Sequence, residues 1–225
     1  MKLALFDLDR TLLPIDSADT WSHYLVQRGG LDAADYGARI REFSATYEAG
    51  RFDADAYQDF QMELLARFPR RQLEHWRAEF IREQVLPHLR AAAIDLIAGH
   101  RRDGFTVAMV TGTNAFVSRP IAAAFGLEHL LAVEPEEVDG RFTGRYVGTH
   151  THHHGKVRAV EAFVAGYGLT LAKCEDSVFY SDSINDLPLL ERVKRPVVTN
   201  GDAALCAVAA ERGWPRLELF ATMDA

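Results

Sequence analysis

The sequence has few of the features that stabilise very small domains or anchor a chain in a membrane. It has two cysteines among 225 residues, Cys174 and Cys206, which form neither a CxxC pair nor a zinc-type spacing. We interpret both as small core residues in a reducing compartment, which predicts a cytoplasmic protein. No apolar run is long enough to span a bilayer, and the apolar start of the chain is too short for a signal peptide. The sequence therefore argues against a disulfide-stapled fold and a membrane protein.

Positive charge is also scarce. The 25 Lys and Arg residues are outnumbered by 32 Asp and Glu residues, which gives a formal net charge of −7. No basic run forms the stripe that binds nucleic acid, so we expect no nucleic-acid partner. Hydrophobic residues make up 48% of the chain and charged residues 25%, as in ordinary globular proteins that bury a core. We expect a monomer or a homodimer.

Short apolar runs recur along the chain, and each ends in polar residues. They cover residues 3–6, 107–110, 178–180 and 197–198. Because their apolar residues are continuous rather than alternating, they predict strands buried on both faces, as in a parallel sheet. Helical patterns lie between them, over 91–100, 114–125, 157–167 and 184–193, and Asp139-Gly140 predicts a hairpin. This alternation predicts a doubly wound α/β fold.

Residues 17–86 follow a different pattern. Tyr36, Ile40, Phe43 and Tyr47 recur at steps of four, three and four, which is one face of a helix. Similar stripes lie around Trp21 and over residues 57–68 and 73–81, with no strand candidate between them. We therefore predict an all-helical cap of four helices over residues 17–86. It is inserted into a core formed by residues 1–16 and 87–225.

Polar side chains stand directly after the predicted strands. Asp7 and Asp9 follow the first apolar run, Thr111 the second and Asp182 the third. Because ligands of open α/β sheets bind at the carboxyl ends of the strands, we expect these side chains to converge. Three carboxylates form an all-oxygen site that suits Mg²⁺ and a phosphate group.

The same groups suit phosphoryl transfer. A carboxylate such as Asp7 can attack phosphorus and form an aspartyl phosphate. A second acid two residues later, Asp9, can protonate the leaving oxygen and then activate water. Thr111 offers a hydroxyl group, and the Gly112 amide can point at phosphate oxygens near a helix start. Lys156, also at a helix start, can hold charge near the nucleophile.

Four motifs resemble those of a known family. Residues 7–12, Asp-Leu-Asp-Arg-Thr-Leu, resemble the DxDx[TV] motif of the haloacid dehalogenase superfamily. Val110-Thr111 resembles its second motif, Lys156 its third, and residues 181–186, Ser-Asp-Ser-Ile-Asn-Asp, its fourth. Their order matches over nearly the whole chain, and the helical insert resembles the first cap type. The set is similar to the phosphoserine-phosphatase-like subfamily, which implies a Rossmann-like catalytic core.

The resemblance also implies roles for single residues. Asp7 would be the nucleophile and Asp9 the general acid and base. The implied metal ligands are Asp7, Asp9 through its backbone carbonyl, Asp182 and Asp186. The residues predicted to bind the phosphoryl group or the substrate are Asp16, Thr111, Gly112, Lys156 and Asn185. Two positions depart from the family pattern: Ser181 stands where Gly is usual, and Thr111-Gly112-Thr113 stands where phosphoserine phosphatases have Ser-Gly-Gly.

These observations predict a Mg²⁺-dependent phosphatase that acts on a small phosphorylated metabolite, with a cap that closes over the cleft. Two alternatives stay open. The same intermediate could pass its phosphoryl group to an alcohol, which would make the protein a phosphotransferase. A non-catalytic phosphate-binding regulator could use this scaffold, although the presence of both Asp7 and Asp9 argues against it.

The substrate itself is less defined. Asp16 lies nine residues after Asp7, where an acid in the phosphoserine-phosphatase pattern meets the substrate's amine. It could equally be the N-cap of the first cap helix. Arg39 and Arg41 are candidate partners for a substrate carboxylate. Phosphoserine and another amine-bearing phosphate, such as histidinol phosphate, are both compatible with this pattern.

A histidine-rich stretch precedes Lys156. It comprises His150, His152, His153 and His154. Such a tract can bind metal, but no cysteine or second cluster completes a site. We interpret it as a polar loop that leads to Lys156.

Overall fold

The structure, a computed structural model, describes residues 1–48 and 51–220. Its α-helices are α1 (Ser17–Gly29), α2 (Ala33–Glu48), α3 (Ala54–Ala66), α4 (Arg70–Phe80), α5 (Ala91–Arg102), α6 (Ala115–Ala124), α7 (His154–Ala165), α8 (Leu187–Leu190) and α9 (Ala203–Arg212). Its strands are β1 (Lys2–Phe6), β2 (Phe105–Val110), β3 (His129–Leu131), β4 (Glu134–Val138), β5 (Arg141–Val147), β6 (Asp176–Ser181), β7 (Arg195–Thr199) and β8 (Arg216–Leu217). No helix in these ranges combines the length and the apolar character needed to cross a membrane.

Six strands form one parallel sheet in the order β3-β2-β1-β6-β7-β8. Strand β1 is central, and its side chains enter two separate apolar clusters. Ala4 and Phe6 pack on one face of the sheet, with helix α5, and Leu3 and Leu5 pack on the other face, with helix α7. This double burial explains why the run is continuously apolar. The predicted α/β class, a Rossmann-like doubly wound sheet with an all-helical insert, is confirmed.

The helices α1 to α4 follow β1 directly and share an apolar core with one face of the sheet. Trp21, Phe60 and Phe80 from these helices lie in the same cluster as Phe6 of β1. The helical segment is therefore held over one side of the sheet by apolar burial rather than by charge pairs alone. The boundaries at 16/17 and 86/87 remain predictions. Residues 49–50 of the predicted cap and 221–225 of the predicted core lie outside the described residues.

Two further contacts tie this helical layer to the elements that follow it in the chain. Pro120 lies inside α6 and has no amide hydrogen, so the carbonyl of Phe116 loses its helical donor. Arg77 of α4 donates to that carbonyl instead, at 2.8 Å. The hairpin formed by β4 and β5 packs against α3 and turns at Asp139 and Gly140, which have φ values of 51° and 72°. These values match the predicted Asp-Gly turn.

Some elements differ from the sequence prediction. The edge strands β3 and β8 were not predicted, because three and two residues are too few to show a periodic pattern. The helix predicted over 184–193 is instead a 3-10 turn, Ile184–Asp186, followed by the four-residue helix α8. Pro188 is accommodated in the first turn of α8, and the chain must then reach β7 at Arg195.

Candidate active site

The carboxyl ends of three neighbouring strands meet at one edge of the sheet. Asp7 follows β1, Thr111 follows β2 and Asp182 follows β6. The structure brings all the predicted site residues to one cleft, namely Asp7, Asp9, Asp16, Thr111, Gly112, Lys156, Asp182, Asn185 and Asp186. The cleft has about 810 Å³ of empty space, including the part open to solvent.

Lys156 is the central cation of the cleft. Its Nζ lies 2.7 Å from Oδ1 of Asp7 and 2.6 Å from Oδ2 of Asp186. Ser181 donates a second hydrogen bond to the same oxygen of Asp186, also at 2.6 Å. The lysine enters from the first turn of α7, where Gly155 packs tightly against the main chain of His150. A side chain at position 155 would overlap the His150 carbonyl, so glycine is required for this approach.

Burial and charge shift the ionisation of these groups strongly. Burial raises the pKa of Asp7 to about 7, and Lys156 opposes this shift while Asp186 adds to it. Burial alone would lower the pKa of Lys156, but Asp186 and Asp7 outweigh that effect and the net shift is upward. The pKa of Asp182 is also raised, by burial first and then by Asp7 and Asp186. The edge of the sheet therefore holds more buried carboxyl groups than one lysine can keep ionised.

Asp9 is held in one position by two donors. The Ser17 amide donates to its Oδ1 at 2.6 Å, and the Thr113 hydroxyl donates to its Oδ2 at 2.6 Å. Burial raises the pKa of Asp9, and these hydrogen bonds partly oppose that shift. A fixed carboxyl group with a raised pKa suits an acid that must give up and take back a proton.

The oxygen atoms of the site are the type of ligand that a small hard cation prefers. The Thr11 hydroxyl group bridges two carboxylates, at 3.0 Å from Oδ1 of Asp182 and 3.5 Å from Oδ2 of Asp7. With the backbone carbonyl of Asp9, this makes an all-oxygen set of the kind that Mg²⁺ prefers. Within residues 1–48 and 51–220, no three or more His, Cys, Asp or Glu side chains are arranged to hold a metal by themselves. A cation here would rely on two carboxylates, a main-chain oxygen and substrate or water oxygens.

Asp16 is the N-cap of α1 and also lines the cleft. Its Oδ1 accepts from the amide of Asp19 at 3.0 Å, which is the N-cap hydrogen bond of α1. Its Oδ2 lies 3.7 Å from Arg10, and the side chain lines the cleft. Burial, with the nearby charges of Asp9 and Asp19, raises the pKa of Asp16 to about 7. Both of its oxygens therefore already have protein partners.

Several cleft residues were missed by the sequence reasoning. Five ring side chains line the same cleft and form what we call the aromatic wall: Phe43, Tyr47, Phe52, Tyr57 and His152. Asp19, Ser44 and Gln58 line it as well. The signal that could have found part of this set is the Phe43–Tyr47 spacing on α2, which was interpreted only as a packing face. His152 was interpreted as part of a polar loop, and the structure places its ring against Phe52 with 4.9 Å between ring centres.

The two arginines considered for a substrate carboxylate lie elsewhere. Arg39 pairs with Glu63 at 3.1 Å and stacks over the ring of Phe60. Arg41 is exposed on α2, and neither arginine lines the cleft. The positively charged side chains that do line it, within the described chain, are Arg10 and Lys156.

Comparisons with known proteins identify the family of this chain. The family model of the haloacid dehalogenase-like hydrolases matches residues 4–191. The chain belongs to this family. It is 38% identical over 216 residues to a histidinol-phosphatase of Neisseria meningitidis serogroup C, covering 96% of this chain and 97% of that protein. It is 34% identical over 223 residues to phosphoserine phosphatase SerB1 of Mycobacterium tuberculosis, covering 94% of this chain and 68% of that protein.

Solved structures give the same picture. A protein of unknown function from Bordetella pertussis Tohama I superposes with a TM-score of 0.91 at 44% identity, covering 97% of this chain and 99% of that chain. A phosphoserine phosphatase in a phospho-aspartyl intermediate analogue superposes with a TM-score of 0.68 at 19% identity, covering 96% and 92%. The second likeness shows the fold alone. Because the chain belongs to this family and its relatives include named phosphatases, we identify it as a phosphoric monoester hydrolase.

Proposed function

We propose that this hydrolase removes the phosphate group from a small amine-bearing phosphomonoester through a phosphorylated Asp7. The observation that carries the proposal is the ion pair of 2.7 Å that fixes Asp7 on Lys156 at the bottom of the cleft. A carboxylate held in this way presents an oxygen to an incoming phosphorus atom. Lys156 stays beside it to balance the charge of the phosphoryl group.

The reaction then has two halves. In the first, an oxygen of Asp7 bonds to phosphorus while the bond from phosphorus to the substrate oxygen breaks. Asp9 gives its proton to that leaving oxygen, so the product departs as a neutral alcohol. In the second, Asp9 takes a proton from a water molecule whose oxygen attacks phosphorus. The bond to Asp7 breaks, and inorganic phosphate leaves.

The other residues hold the phosphoryl group in place. Thr111 and Gly112 lie beside Asp7 in the cleft, where their hydroxyl and amide groups can donate to phosphate oxygens. Asn185 lines the same region from the turn after β6. We propose Mg²⁺ as the cofactor, held by Asp7, Asp182 and the backbone carbonyl of Asp9. When bound, it would neutralise the phosphate charge that otherwise repels the nucleophile.

Asp186 was predicted as a further metal ligand. Its Oδ2 accepts from both Lys156 and Ser181. We therefore propose that Asp186 supports the site mainly by positioning Lys156.

The cleft favours a substrate that carries an amine and no carboxylate. Asp16 and Asp19 line it at the start of α1, whereas Arg10 is placed against Asp16 and Lys156 is placed between two carboxylates. A substrate carboxylate such as that of phosphoserine would meet negative charge there. The relative named histidinol-phosphatase, which matches nearly the full length of this chain, points to histidinol phosphate as the first compound to test.

The test is phosphate release from a panel of phosphorylated metabolites that includes histidinol phosphate and phosphoserine. We expect activity that requires Mg²⁺, disappears with EDTA and is poorly supported by Ca²⁺, which is larger and less strict in geometry. We expect histidinol phosphate to have the higher kcat/KM. Full activity in metal-free buffer would refute the metal assignment, and a preference for phosphoserine would refute the substrate assignment.

A further inference from the structure

The half of the cleft that the helical layer forms contains polar atoms that have no protein partner. Gln58 is 2% exposed and lines the cleft. Its Nε2 donates to the carbonyl of Gly112 at 2.9 Å, which fixes the amide and leaves Oε1 buried without a donor. Buried acceptors are rarely left unsatisfied in folded proteins, so this oxygen indicates a ligand donor.

Asp19 lies in the same half of the cleft and carries an uncompensated charge. Its carboxylate accepts from the hydroxyl groups of Ser44, at 2.7 Å, and Tyr57, at 3.5 Å. Both partners are neutral hydroxyls, and no ion pair of Asp19 occurs in the described chain. Asp16, by contrast, is occupied by the helix cap and by Arg10. Asp19 is therefore the carboxylate that is available to a cation from the substrate.

The ring side chains of the aromatic wall lie next to these acceptors, and the Tyr57 hydroxyl contacts Asp19. Phe52 is the centre of the aromatic wall, with ring-centre distances of 5.2 Å to Tyr47, 5.2 Å to Tyr57 and 4.9 Å to His152. The Nε2 atom of His152 is also buried without a partner. Burial lowers the pKa of His152 to about 4, so its ring is neutral at physiological pH. A neutral imidazole can donate or accept one hydrogen bond at that atom.

We propose that Asp19 and Gln58 bind the ammonium group of the substrate and that Phe52 and His152 bind a planar heteroaromatic ring attached to it. The substrate class is thus a phosphomonoester of an amino alcohol that carries a nitrogen-containing aromatic ring. A carboxylate and an amide oxygen supply acceptors for ammonium hydrogens, and the hydrogen bonds to a charged donor are the strong ones. Ring faces add attraction to a flat or cationic group. This inference rests on the proposed function and assigns its substrate contacts to residues that the phosphoryl-transfer steps do not use.

The experiment compares three substrates that separate the two contacts. Histidinol phosphate has both groups, phosphoethanolamine has the amine alone, and phenyl phosphate has a ring alone. Asp19→Asn should raise KM about tenfold or more for the two amines and leave phenyl phosphate nearly unchanged. Phe52→Leu should raise KM about threefold or more for the two ring substrates and spare phosphoethanolamine.

Matched controls come from the same chain. Asp35 is a first-turn acid of the neighbouring helix α2, and Phe163 is a half-buried phenylalanine that stacks on a histidine outside the cleft, with 5.1 Å between ring centres. Asp35→Asn and Phe163→Leu should leave KM unchanged for all three substrates.

The possible outcomes distinguish a failure of the proposed substrate from a failure of the proposed contacts. If the wild-type enzyme does not prefer amine-bearing phosphates, the proposed substrate fails and this inference falls with it. If it prefers histidinol phosphate but Asp19→Asn changes KM for all three substrates alike, or no more than Asp35→Asn does, only the inference is overturned. A substrate-selective rise in KM at an unchanged melting temperature supports it.

Discussion

Replacing Lys156 with methionine tests how the site is assembled. The side chain is 4% exposed and bonded to Asp7 and Asp186, so its removal leaves two buried carboxylates facing each other without a cation. Removing one partner of a buried ion pair costs about 3–5 kcal/mol of folding free energy. Loss of a preorganised charge stabiliser lowers kcat by a factor on the order of 10² or more. Lys156→Met should therefore show both losses.

A second substitution separates the two effects. Asp186→Asn in the Lys156→Met background removes one of the two negative charges that repel each other. It should therefore recover part of the lost stability without restoring turnover. Urea unfolding followed by circular dichroism measures the first quantity, and phosphate release at saturating substrate measures the second. The control is His154→Ala, an exposed residue of the same helix turn. The reasoning is refuted if Lys156→Met keeps kcat within about threefold of the wild type, or if it is no less stable than the control.

Three further predictions follow from single contacts. The pKa of Asp16 is about 7 in the folded chain, whereas its ordinary value is 3.8. Between pH 3.8 and about pH 7, Asp16 is therefore protonated in the folded state and ionised in the unfolded chain. The free energy of unfolding should fall as pH rises across that window, and Asp16→Asn, which keeps the N-cap, should flatten the fall in urea titrations at several pH values. Gly155→Ala should abolish most activity and lower the melting temperature, because the new methyl group overlaps the His150 carbonyl. Tyr47→Phe removes the 2.7 Å hydrogen bond from the helical layer to Ser183, and it should raise KM while costing only about 1 kcal/mol of stability.

Each of these changes has a control in the same chain. Gly99 lies in α5, where a new methyl group would make only an ordinary contact of 3.8 Å with Arg102, so Gly99→Ala should keep activity and hold or raise the melting temperature. Tyr36 also donates its hydroxyl to a side chain, Glu63, at 3.2 Å, but within the helical layer. Tyr36→Phe should therefore leave KM unchanged. Normal activity of Gly155→Ala would contradict the argument from the His150 carbonyl. An equal change in KM for Tyr47→Phe and Tyr36→Phe would contradict the role of the Ser183 contact. An unchanged fall of the unfolding free energy with pH in Asp16→Asn would contradict the assignment to Asp16.

Much of the fold and of the phosphate end of the cleft could be predicted, because both follow from local rules. Apolar runs buried on two faces identify central parallel strands, and the carboxyl ends of such strands meet at one edge. That topology is why Asp7 and Asp182, far apart in sequence, both lie at the Thr11 hydroxyl group. Lys156 could be assigned to the same edge from its motif.

The aromatic wall and the helical side of the cleft could not be predicted in this way. Phe52 lies between α2 and α3, and His152 lies in the stretch before α7, so their contact depends on how the helical layer sits on the sheet. Periodicity reports which side of a helix is apolar, but not whether that side faces a core or a cleft. For this reason the sequence pattern indicates core positions for Phe43 and Tyr47, and it does not single out Gln58.

The central claim is that the phosphoryl group passes through Asp7. The most direct measurement mixes the enzyme with radiolabelled histidinol phosphate, quenches the reaction in acid during turnover and locates the label by peptide mapping. We predict a base-labile label on the peptide that contains Asp7, its loss in Asp7→Asn together with turnover, and its accumulation in Asp9→Asn, where the attacking water lacks a base. Asp7→Asn that retained more than a few per cent of activity, or turnover with no labelled Asp7 at any quench time, would contradict the account.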